Sequence, residues 1–177
     1  MTSPSHRATA PGGGLRAALG GTVGASLWVL LVLALIVASV VLGLRLRTAE
    51  RASDARAAAL QAARQEAVNL TSVDGKDIQG DLKSVLAGAS GQFRQDFQAQ
   101  SSRLSSVLED NQVTAEGKVL DAGLSRFDGD TATAVVVVDT QVANKAIPKG
   151  QVRHYRMQLD LERTGDRWLT NTLQFVN

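Results

Sequence analysis

The sequence predicts an α+β protein with an apolar N-terminal helix, and three observations carry that prediction. No ionisable side chain occurs between Arg16 and Arg45. Strong helix formers and helical apolar spacing then run from Thr48 to about Asp110. From Val113 the apolar period changes to two, and four strand-like stretches follow with short turns. Consecutive strands joined this way form an antiparallel meander, and the helices gathered ahead of it are expected to cover one of its faces.

These readings divide the chain into a disordered tail (1–20), a transmembrane helix (21–46), a helical stalk or first helix (47–70) and an α+β domain (71–177). The tail, beginning MTSPSHRATAPGGGLR, is rich in Ser, Thr, Pro and Gly and lacks apolar periodicity. In the next segment Ser26–Leu44 (SLWVLLVLALIVASVVLGL) is almost wholly Leu, Val, Ile and Ala. About 20 such residues, rising about 1.5 Å each, span a hydrocarbon layer of roughly 30 Å. A charge at its centre would cost several kcal/mol, so its clean absence is the signal. Trp28 sits at the end of the run, where an aromatic suits the interface, and Leu30, Leu33, Ile36 and Leu42 are expected to face lipid. A cleaved secretory signal would have an apolar region of about 7–15 residues and a small-residue cleavage site. This run is longer and passes directly into Arg45 and Arg47, while a buried soluble helix would show a polar face. Arg7 and Arg16 precede the run, and Arg45, Arg47, Arg51 and Arg56 follow it interleaved with Glu50 and Asp54, so charge alone leaves the orientation open.

Beyond the membrane segment, TAERASDARAAALQAARQEAVNL (Thr48–Leu70) has no Gly or Pro. Ala59, Ala62, Ala63, Ala67 and Leu70 lie close to one face, which can pack either on the chain's own domain or on a partner. Thr71–Gly75 is a turn. Ile78, Leu82, Val85 and Leu86 define a second helix, and Phe93, Phe97, Leu104, Val107 and Leu108 a third. Strands are expected over Val113–Phe127, Thr131–Ala143, Gln151–Arg163 and Arg167–Val176, with Asp128-Gly129 as a hairpin turn. In the third strand Tyr155, Met157, Leu159 and Leu161 share one face. In the fourth, Leu169, Leu173 and Phe175 are expected to do so.

Composition excludes several functions. Nineteen Lys+Arg balance 17 Asp+Glu, and no basic stripe interleaves with aromatics, which argues against nucleic acid. With no cysteine there is no disulfide, thiolate metal site or cysteine nucleophile. Metal and cofactor binding are not expected. His6 lies in the tail, His154 is the remaining histidine, and Asp74, Asp77 and Asp81 lack the spacing of a calcium loop and suit turns and a helix N-terminus. No catalytic residue is assigned either. His154 and Tyr155 are adjacent in a strand and point to opposite faces, so they cannot converge on one substrate. Phe93, Phe97, Tyr155, Met157, Leu159 and Leu161 remain as candidates to line an apolar cavity or to form the core.

Helices followed by a four-stranded antiparallel sheet resemble the NTF2-like pattern shared by the periplasmic domains of VirB8-type secretion proteins. Three stretches are similar to the actinobacterial Mce-associated membrane protein family: QAARQEAVNLTSVDGKDIQGDLKSVLAGASGQFRQDF (Gln61–Phe97), EGKVLDAGLSRFDGDTATAVVVVDTQV (Glu116–Val142) and RHYRMQLDLERTGDRWLTNTLQFVN (Arg153–Asn177). The first has AVNLTSVD, similar to that family's A-V-N-L-T-T-x-D with Ser72 in place of the second Thr, and its G-x-F-x-x-D-F pattern, while Val73-Asp74-Gly75 departs from relatives that have an aromatic after the Asp. The resemblance covers about residues 48–177. It implies an NTF2-like cone and a single-pass protein of the cytoplasmic membrane, N-terminus inside and domain outside. Its implied role is non-catalytic: stabilising or assembling an Mce-type importer of sterols or fatty acids, with transporter subunits as partners beside the bilayer. A lipid-binding cone and a VirB8-like secretion scaffold are the alternatives.

Overall fold

The computed structural model describes residues 20–176, with side chains in the first helix described from Leu35 onward except at 44, 46, 48 and 49. Nearly all of the expected tail lies outside the described residues. Three helices, α1 (Gly20–Thr71), α2 (Ile78–Gly88) and α3 (Gly91–Asp110), precede four strands: β1 (Thr114–Asp128), β2 (Thr131–Ala143), β3 (Gln151–Thr164) and β4 (Arg167–Phe175). The chain divides into two compact units, Met1–Ala49 and Glu50–Asn177.

In the first unit, α1 exposes Leu35, Ile36, Val37, Val40, Val41 and Leu42. The side chains of Trp28, Leu30 and Leu33 lie outside the described residues. Among the described residues no helix is long and apolar enough to cross a membrane.

In the second unit the strands form one antiparallel sheet in the order β1-β2-β3-β4. Its inner face carries Ala132, Ala134, Val136 and Val138 of β2 and Met157, Leu159 and Leu161 of β3. Three alanines of α1, Ala59, Ala63 and Ala67, pack into this surface and are fully buried. Their spacing of four puts them on one stripe, and their small side chains allow the helix backbone to lie close to the sheet. The alanine face therefore docks on the chain's own domain. A cation–π contact between Arg56 and the Phe127 ring (4.7 Å) lies toward one end of this packing. At the other end Thr71 meets Gly117, where any side chain would overlap the threonine hydroxyl.

Strand β1 does not keep the period of two. Register shifts at Leu120 and Ser125 leave Val119, Ala122, Leu124 and Phe127 packed against the core, a spacing of three, two and three. Each bulge adds one unpaired residue and bends the strand, which curls this edge of the sheet around α1. A third bulge at Asn171 corrects the expected face of β4. Trp168 and Thr170 point inward and are buried, Leu169 lies on the other face, and Leu173 returns to the inner face beyond the bulge.

The turn after α1 is tied to the sheet by paired backbone bonds between Val73 and Ala115 (2.8 and 2.9 Å). Asp77 caps α2 by accepting from the Gly80 amide (3.0 Å), and Asp81 accepts from the Asp74 amide (2.6 Å). These aspartates are therefore turn and cap residues, as their spacing suggested. Ser90 and the N-terminal end of α3 are fastened to β4 through the Ser90 amide and the Thr170 carbonyl (2.8 Å).

Candidate functional site

The six apolar candidates fall in two separate places, the core with its margin and the outer helix α3. Met157, Leu159 and Leu161 are in the core beneath the α1 alanines, so the space where an NTF2-like cavity would open is filled by packed side chains. Tyr155 is half-buried farther along β3, its ring 5.8 Å from that of Phe175. Phe93 and Phe97 are on α3, half-exposed, with ring centroids 5.9 Å apart. They belong to the helical flank of the domain and not to its core.

Phe97 closes one side of a recess between the end of α1, α2 and α3. Leu70, Val73, Leu82, Val85, Leu104 and Leu108 line it, and its volume is about 150 Å³. Small-molecule sites usually occupy about 300–1,000 Å³. The recess is therefore too small for a sterol or an extended acyl chain. On the outer side of α3, Phe97, Gln100, Arg103, Leu104 and Val107 border a second, shallower groove of about 270 Å³. The two share Phe97 and Leu104, so an apolar strip continues across α3.

His154 lies on the outer face of the sheet, opposite Asp139 in register, with 2.5 Å between its Nδ1 and the carboxylate. Its side chain is 73% exposed, so water solvates this pair strongly. Tyr155 points to the inner face, and the two side chains do not meet.

Among the described residues, the titratable group that burial displaces is one that the sequence reading passed over. Glu66, on α1, is only 2% exposed. Its Oε2 accepts a long hydrogen bond from Asn69 Nδ2 (3.3 Å), and its Oε1 has no partner. Burial pushes its pKa up from 4.5 to about 7, with the Asn69 bond pulling weakly the other way. The carboxyl lies against the last residue of α2, Gly88, where any Cβ would overlap it. Carbonyls at this end of α2 accept from arginines, Leu86 from Arg94 and Ala87 from Arg167 (2.6 Å). Nothing local in the sequence marks Glu66, because its burial depends on a glycine 22 positions away coming to rest beside it. Asp139 aside, no acidic or nucleophilic partner is placed on His154, and among the described residues no cluster of His, Asp and Glu could hold a metal ion.

The fold has solved counterparts. An IcmL-like type IV secretion system protein from Legionella pneumophila superposes with a TM-score of 0.55 at 16% identity, covering 68% of this chain and 91% of that one. CagV of Helicobacter pylori, a VirB8 homologue of a type IV secretion system, gives 0.54 at 7% identity, covering 68% and 98%. The periplasmic domain of DotI gives 0.51 at 9% identity, covering 66% and 91%. At these identities the likeness shows a shared VirB8-like α+β fold. In sequence, the chain is 30% identical over 122 residues to a Mycobacterium tuberculosis protein described as "Uncharacterized protein Rv1363c". The match covers 68% of this chain and 47% of the relative, so the chain spans about half the length of that relative. Residues 21–177 match the family described as "Uncharacterized protein Rv1363c/MT1408-like", and the chain belongs to that family.

Proposed function

We propose that this chain is a non-catalytic accessory protein of the cytoplasmic membrane, anchored by one N-terminal helix, whose extracytoplasmic domain stabilises or assembles an Mce-type lipid import complex. The observation that carries the scaffold reading is the fold. About two thirds of this chain shares it with two type IV secretion proteins and with the periplasmic domain of DotI, and its interior is filled. A filled interior leaves recognition to the surface. Anchoring is supported by the uncharged run Ser26–Leu44 and by six large apolar side chains of α1 between Leu35 and Leu42 that lie exposed, an arrangement costly in water and favourable in hydrocarbon. The Mce assignment rests on the sequence stretches Gln61–Phe97, Glu116–Val142 and Arg153–Asn177. A VirB8-like role in a secretion apparatus is the second reading, favoured by the same structural counterparts.

Affinity purification of the full chain, tagged at its C-terminus, from native membranes in mild detergent separates the two. Co-purification of Mce subunits, their permease or ATPase is the expected result. Recovery with secretion components instead would leave only the scaffold part standing, and recovery alone would remove both.

A further inference from the structure

The inner side of α3 is held by the domain. Ser105 is buried, accepts from Gln79 Nε2 (2.7 Å) and donates to Glu109 (2.7 Å), and Leu108 closes the recess against α2. Beside that face runs a different stripe: Phe93, Phe97, Gln100, Leu104 and Val107. Its spacing of four, three, four and three is that of a helix seam built for another helix. Val107 is 49% exposed, Phe97 and Leu104 are half-exposed along the groove bordered by Gln100 and Arg103, and Phe93 is half-exposed beside Phe97. Two exposed charges flank the seam on one side, Asp96 and Arg103. Asp96 accepts only from Gln92 (2.7 Å), and Arg103 has no hydrogen-bond or ion-pair partner among the described residues.

We propose that this face of α3 is a self-association surface, on which α3 of a second copy of the chain packs antiparallel about a two-fold axis. Charge selects this occupant and its register. When Phe93 faces Leu104 of the second copy, and Phe97 faces its Gln100, Asp96 comes beside Arg103 of the second copy, and symmetry repeats the pair. Sliding one helix by a heptad sets Arg103 against Arg103 and Asp96 against Asp110, which is repulsive throughout. A parallel pairing leaves both charges without a partner. Gln100 within the seam weakens the contact but disfavours other alignments, the usual effect of a lone polar seam residue. This inference is independent of the Mce reading, since it rests on α3 alone.

The test is sedimentation equilibrium of the full chain in mild detergent, comparing wild type with Asp96→Arg, Arg103→Asp and the double variant. The wild type is expected to show a monomer–dimer equilibrium. Each single reversal sets like charges together twice and should raise the dissociation constant at least about tenfold. The double reversal restores the pairs and should return it to near the wild-type value. Both side chains are exposed, so an unchanged melting temperature confirms that the fold is intact in each variant. A wild type that stays monomeric at every concentration overturns the proposal. So does a dimer indifferent to the single reversals, or a double variant no tighter than the singles.

Discussion

Replacing Glu66 by Gln should stabilise this protein, and more so as the pH rises. Burial holds the Glu66 pKa at about 7 in the folded chain against 4.5 when solvated, so the folded state binds this proton more tightly than the unfolded one. A raised pKa contributes stability that is complete below about pH 4.5. That contribution is lost progressively as the pH rises through 7, and the loss levels off above. Two and a half units at about 1.4 kcal/mol each come to roughly 3 kcal/mol lost by pH 8, of which only about 1 kcal/mol has gone by pH 5. Gln keeps the shape and can still accept from Asn69, but it never ionises. Urea denaturation of the full chain and of Glu66→Gln, followed by circular dichroism between about pH 5 and pH 8, gives the comparison. The two unfolding free energies should lie within about 1 kcal/mol near pH 5, with the variant leading by about 3 kcal/mol near pH 8. Parallel pH profiles would refute the reasoning, since they would mean that the carboxylate is solvated or paired.

Gly88→Ala should cost about 2 kcal/mol or more, because its methyl group overlaps the Glu66 carboxylate, and the cost should shrink when Glu66→Ala is added; equal costs in both backgrounds would place the strain elsewhere. Leu159→Ala, at a fully buried site, should lower the unfolding free energy by about 2–5 kcal/mol, whereas Phe97→Ala on half-exposed α3 should cost clearly less. Chemical denaturation ranks the two, and a reversed order would contradict the division between core and flank. A fragment spanning residues 50–177 should be soluble and melt cooperatively, since it contains the α1 alanines that cover the sheet; one starting at 72 should not.

Much of this architecture was legible because it is written in local patterns. The four strands, the hairpin between β1 and β2 (turning at Gly129-Asp130, one residue past the expected Asp128-Gly129) and the helices at Ile78 and Phe93 follow from apolar period and turn chemistry, which neighbouring residues set on their own. The uncharged run Ser26–Leu44 is a property of the sequence before any folding. Facial assignment failed where a bulge intervened. In β4, Leu169, Leu173 and Phe175 alternate by number, but the extra residue at Asn171 makes Trp168 and Thr170 the buried pair. Bulges in β1 likewise moved its inner face off a simple alternation. A bulge answers to the curvature that a whole sheet needs, and no short window of sequence contains that.

The sequence by itself determined the element order, the aliphatic make-up of the core, the absence of cysteine chemistry and the separation of His154 from Tyr155, since each depends on residue identity and on distances along the chain. Only the tertiary structure decided that the alanine stripe of α1 closes the sheet and fills the cone, that Phe93 and Phe97 flank the domain, and that Glu66 is buried against Gly88. Each of these depends on which distant surfaces meet. Burial, and the energies that come with it, are properties of that meeting.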